Sequence, residues 1–165
     1  MISGDGPPRT GSDSLRAFFG EPGDVDNLVY INFPYRMVLA WDKNKKVTRT
    51  RVHKKVAGPM LAALTELVDT YGEEWIQTHN LHLFGGVFNN RSVRGGKTTS
   101  THAWGAAIDL NPDENRNQQP WTPDKIGQVG FGNMPIEAVR IFEKHGFKHG
   151  GRAWGRDAMH FQYTK

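Results

Sequence analysis

The chain has 165 residues, of which 37% are hydrophobic and 23% charged, with a net charge of +4 and no cysteine. That length suits one domain around one core, and the missing cysteines exclude disulfides and thiolate metal sites. Any metal must then be held by nitrogen and oxygen ligands, which makes the seven histidines the first suspects. No apolar run approaches the ~20 residues that span a bilayer. Residues 1–10 lack the charged-then-apolar pattern of a secretory leader, so cytoplasmic synthesis without a signal peptide is expected.

Residues 1–13, rich in Gly, Pro and polar side chains, read as a flexible arm, with the domain proper over 14–165. Ser14–Phe19 begins a short helix that Gly20-Glu21-Pro22-Gly23 stops. Leu28–Trp41 is extended, with Pro34 interrupting it, and Met37–Trp41 and Val47–Val52 form two strands around the polar turn Asp42–Lys46. Residues 43–55 carry seven Lys or Arg and no acid. Such a run is either a solvated hairpin or a surface for a polyanion, such as an anionic wall polymer. Nucleic acid is not expected, because no known nucleic-acid motif is present and the basic run lacks interleaved aromatics.

Residues 57–71 form the clearest helix, with Met60, Leu61, Leu64 and Leu67 on one stripe and Gly72 as its stop. Trp75 and Ile76 begin a second, short one. Leu81–Phe88 reads as a strand broken at Gly85-Gly86, and Ala106–Leu110 as a short buried strand. Asn111–Pro135 is a long polar loop, a length often associated with function. Ile136–His145 is a helix, Gly150-Gly151 a turn and Met159–Tyr163 a final strand. The fold class that follows is α+β, a single domain with a small, mostly antiparallel central sheet and packed helices.

The chemistry sits in two segments, Ser100-Thr101-His102-Ala103-Trp104-Gly105-Ala106-Ala107-Ile108-Asp109 and Asp157-Ala158-Met159-His160. Two imidazoles and one carboxylate make a common three-ligand set for a catalytic zinc, the fourth position being left to water. Zinc brings the pKa of that water to about 7. Asp157 is placed to take its proton and pass it to a leaving amine. An arginine would stabilise the oxyanion, and Arg91 and Arg94 lie just upstream of the first segment. Trp121, in the long loop, is the aromatic expected to touch substrate.

Ser100-x-His102-x-x-Gly105-x-Ala107-x-Asp109 followed by Asp157-x-Met159-His160-Phe161 resembles the peptidoglycan-cleaving zinc peptidases. That family includes D-alanyl-D-alanine carboxypeptidases and dipeptidases and phage L-alanyl-D-glutamate endolysins. Gly85-Gly86-Val87-Phe88-Asn89-Asn90-Arg91 looks like the family segment that carries an arginine, and Gly146-Phe147-x-x-Gly150-Gly151 like the approach to the last ligand. His53-Lys54-Lys55-Val56 is similar to phage-type members.

The resemblance implies one zinc ion on His102, Asp109 and His160, with Asp157 as general base and Arg91 as clamp on the substrate carbonyl. It implies that Ser100 supports the metal loop or the substrate, in a D,D-peptidase-like fold; Arg94 follows Arg91 closely, and the role of clamp could belong to either. A phage endolysin that cuts between L-Ala and D-Glu is the reading it favours. Such an enzyme is a monomer, made in the host cytoplasm and acting on the wall after release or from the virion. A D-alanyl-D-alanine carboxypeptidase and a non-catalytic wall-binding module are the alternatives. Many members have Glu where Asp157 stands and Trp where His149 stands, and the tract before residue 35 has no counterpart.

Overall fold

The computed structural model describes residues 6–90 and 98–165. Among them lie six strands: β1 (Leu28–Leu39), β2 (Asp42–His53), β3 (Leu83–Gly86), β4 (Ala107–Leu110), β5 (Lys148–His149) and β6 (His160–Gln162). The helices are α1 (Ser12–Phe19), α2 (Ala57–Thr78), α3 (Ile136–Lys144) and α4 (Gly150–Trp154), with 3-10 turns at Val25–Asn27 and Thr101–Trp104. The strands form one sheet in the order β2-β1-β3-β4-β6-β5. The α+β class holds, but the sheet is mixed: β1 runs parallel to β3, and the other pairings are antiparallel.

The core explains the local choices. Met60, Leu64 and Leu67 of α2 are fully buried, and α2 packs on β1, while Leu61 of the expected stripe is 37% exposed. Gly72 adopts φ 86°, a left-handed conformation that glycine reaches without a Cβ penalty. It breaks α2 into two helical pieces at the expected stop. Pro34 does not end β1. The ladder with β2 instead slips between Asn32 and Met37 and resumes.

Two expectations are corrected here. Gly150-Gly151 is not a free turn but the start of α4, capped by the His149 side chain, whose Nδ1 accepts from the Arg152 amide at 3.1 Å. A Cβ on Gly150 would overlap the Asp157 carbonyl oxygen, so glycine is what lets the two segments meet. Residues 6–13 do not trail free. The Lys165 amide donates to the Pro8 carbonyl at 2.8 Å, and Thr10 Oγ1 reaches the Lys165 carbonyl at 3.2 Å.

The long loop 111–135 is anchored from inside. Asn115 is fully buried, and its side chain accepts from the Met134 amide at 2.8 Å and donates to Asn133 Oδ1 at 2.8 Å. Trp121 is also fully buried, and its indole donates to the Met134 carbonyl at 3.0 Å.

Candidate metal centre

Strand pairing assembles the site. In the antiparallel β4–β6 ladder Asp109 lies directly opposite His160, which sets their side chains on the same face. On the other side of β4 the register partner of Asp109 is Gly86, so no side chain crowds it. His102 comes from the 3-10 turn just before β4. Ser100 caps that turn, its Oγ accepting from the His102 amide at 3.2 Å. The Asn89 amide, beyond the end of β3, donates to the His102 carbonyl at 2.9 Å and fixes the turn from outside.

The three side chains converge. His102 Nε2 is 3.2 Å from one Asp109 oxygen and His160 Nδ1 is 3.2 Å from the other. One donor atom from each of the three lies within 4.8 Å of the others. All three residues are buried.

The outward-facing nitrogens decide the tautomers. His102 Nδ1 donates to the Val87 carbonyl at 2.7 Å, which leaves its lone pair on Nε2. That atom is buried and has no hydrogen-bond partner among the described residues. His160 Nε2 donates to Gln162 Oε1 at 2.8 Å, which leaves the lone pair on Nδ1. Two lone pairs therefore face one carboxylate, an arrangement that repels itself unless a cation sits between them. Donation of the second ring N–H to a carbonyl oxygen is the usual outer support of a metal-bound histidine. The donor set and its tautomers thus fit a divalent ion that favours nitrogen and oxygen ligands.

With no ion between them, protons on the two imidazoles would take its place: burial raises the Asp109 carboxyl, but protonated His102 and His160 outweigh it and hold it well below the usual carboxylate range. In that proton-bearing state burial lowers His160, and its contact with Asp109 outweighs that effect and raises it.

Asp157 stands outside the ligand group but lines the same cavity, a space of about 530 Å³ in front of the three ligands. Burial raises its carboxyl above the ordinary value, helped by Asp109 and opposed by the charges of His160 and Arg156. Its backbone is left-handed at φ 61°. Aspartate is among the few non-glycine residues that tolerate this region, where strained functional residues gather.

The other expected site residues divide. Ser100 lies on the cavity wall and supports the His102 turn. Trp121 is in the core, edge-on to the His149 ring, and does not reach the cavity. Trp41 and Trp154 line the cavity instead, 69% and 43% exposed. Arg91 and Arg94 lie outside the described residues.

Sequence reasoning missed Gln162, Thr101 and Arg156. Gln162 was findable, because residues two apart on a strand share a face and it follows His160 by two. The side chain of Thr101 is 3.3 Å from both His160 Nε2 and Gln162 Oε1.

Residues 94–163, which hold both ligand segments, match the model of a peptidase family described as D-alanyl-D-alanine carboxypeptidase. The match bears out the zinc-peptidase resemblance read from the motifs. No curated protein and no solved structure matches the chain.

Proposed function

We propose that this protein is a zinc-dependent peptidase that cleaves peptidoglycan stem peptides, acting as an L-alanyl-D-glutamate endopeptidase of the phage endolysin kind. One observation carries the reading: two imidazoles locked in ligand tautomers meet a buried carboxylate, and a second carboxylate, Asp157, shares their cavity. The aspartate at 157, where many members have glutamate, supports the phage-type assignment.

In this reading His102, Asp109 and His160 hold the ion. Zinc bound there supplies a Lewis acid for the scissile carbonyl and brings the pKa of a water to about 7. Asp157 takes the proton from the attacking water and returns it to the departing amine. Its raised affinity for protons suits both steps, since a general base works best with a pKa nearer the operating pH. Arg91 or Arg94 would clamp the substrate carbonyl, and Ser100 keeps the His102 turn in place. The exposed basic side chains of β2, Lys43, Lys45, Lys46 and Arg49, offer a surface for anionic wall polymers.

A D-alanyl-D-alanine carboxypeptidase is the second reading, favoured by the description of the matched family. Digestion of purified peptidoglycan with mass spectrometry of the products separates the two. New L-Ala C-termini identify the endopeptidase, and free D-Ala identifies the carboxypeptidase. Asp157→Ala should lower kcat by about 10²- to 10⁴-fold while the protein still binds zinc, and a chelator should abolish cleavage. Zinc binding without cleavage of any wall type would overturn both readings in favour of a non-catalytic module.

A further inference from the structure

The wall of the cavity is chemically uneven. Thr10, Ser12, Thr98, Thr99 and Thr101 give it neutral hydroxyls, and Trp41 and Trp154 give it flat apolar faces. Among the described lining residues Arg156 is the only Lys or Arg. It is half-buried and adjoins Asp157 in the chain.

Its guanidinium is held from one side. Nη1 donates to the Asn117 carbonyl at 3.2 Å and to Asn117 Oδ1 at 2.8 Å, and Asn117 lies on the same wall. A bridge between Pro120 and Arg156 ties the backbone to the long loop. These bonds use one corner of the fork. Among the described residues no carboxylate forms an ion pair with Arg156. Asp109, the acid deepest in the site, is committed to the two histidines.

A partly desolvated cation that is positioned, and that feels Asp157 only at a distance beyond ion-pair contact, favours an anion from outside. The planar guanidinium fork matches a carboxylate with two parallel hydrogen bonds.

We propose that Arg156 binds a carboxylate of the substrate peptide and so makes the enzyme selective for an anionic group close to the bond it cuts. This rests on the peptidase reading above and adds a recognition element to it. The carboxylate has two possible sources: the free α-carboxylate of a γ-linked D-Glu beside the scissile bond, or the C-terminal carboxylate of a terminal D-Ala. The chemistry at Arg156 is the same for both.

Synthetic stem peptides decide the matter. Four versions are needed: both carboxylates free, the D-Glu carboxylate amidated, the C-terminus amidated, and both amidated. They are compared on zinc-loaded wild type, Arg156→Gln and Arg156→Lys. Wild type should prefer one free carboxylate by on the order of 10- to 100-fold in kcat/KM, carried mainly by KM. The position whose amidation costs that factor names the source. In Arg156→Gln the ratio of free to amidated substrate should collapse towards one, and Arg156→Lys should restore part of it.

A ratio is informative because a merely structural role of Arg156 would lower both rates together. Equal cleavage of all four peptides by wild type, or a preference that survives in Arg156→Gln, would overturn the proposal. Cleavage of none of them would overturn the peptidase reading instead. Calorimetry of the free and fully amidated peptides on wild type and Arg156→Gln still decides the recognition claim in that event. Tighter binding of the free peptide to wild type alone supports it, and equal binding overturns it.

Discussion

At the scale of single residues, Gln162 is where a residue outside the candidate ligand set would have the most influence on a bound metal. Its Oε1 accepts from His160 Nε2, and its own amide donates to Thr164 Oγ1 at 2.8 Å, so its orientation is fixed in turn. Gln162→Met keeps the bulk and removes the acceptor. Zinc affinity, measured by chelator competition, should fall about 10- to 100-fold, while Gln162→Glu, which keeps an acceptor, should stay close to wild type. Equal affinity in Gln162→Met would show that strand pairing alone orients His160. The convergence of His102, Asp109 and His160 on one cavity with Asp157 was legible in the sequence because they sit in two short segments that the β4–β6 pairing joins. Trp121 was misread for a physical reason. A polar loop of this length suggests a surface, yet the loop holds itself down with one buried indole and one buried amide, Trp121 and Asn115. Nothing in residue type or spacing separates such an anchor from an exposed aromatic.

At the scale of elements, α4 acts as a buttress for Asp157, the proposed general base. Gly150 and the Asp157 carbonyl are in such close contact that any Cβ forces them apart. Gly150→Ala should therefore cost about 1–3 kcal/mol of stability and displace Asp157 from the cavity. The expected result is a lowered Tm with kcat reduced at least about tenfold, although the zinc ligands are untouched. Unchanged kcat would mean that Asp157 is positioned by β6 alone. A Gly-Gly pair is legible as a break in regular structure, but whether a chain crosses it closely is a tertiary fact. The parallel β1–β3 pairing was hidden in the same way: β2 and the long α2 intervene in sequence, and their return path leaves no local mark.

Across the whole molecule, stability and acidity are linked through His149. This ring is 1% exposed, donates to the Ala158 carbonyl at 2.8 Å and accepts from Arg152. Burial lowers its pKa to about 4, against the bond to Ala158, and the nearby charges of His160 and Arg152 add to the lowering. The unfolded chain, with an ordinary histidine near 6.5, takes up a proton first as pH falls. The contribution of a neutral His149 is thus fully present above about pH 6.5 and is lost progressively towards pH 4, at most about 3 kcal/mol. Urea unfolding of the zinc-free protein at pH 7, 6 and 5 should show stability falling with acid. The slope should be shallower in His149→Gln, and identical slopes would contradict the assignment. The single domain and the packing of α2 were legible from length and apolar spacing. The seat of the first residues was not, because a polar, Pro-rich tract looks the same whether it is loose or held by backbone hydrogen bonds. That seat has a mechanical consequence. The bonds that Lys165 makes with Pro8 and Thr10 fasten this segment to the residues just beyond β6, and Thr10 also stands on the cavity wall, so the segment works as a hasp that ties one side of the cavity to the strand carrying His160.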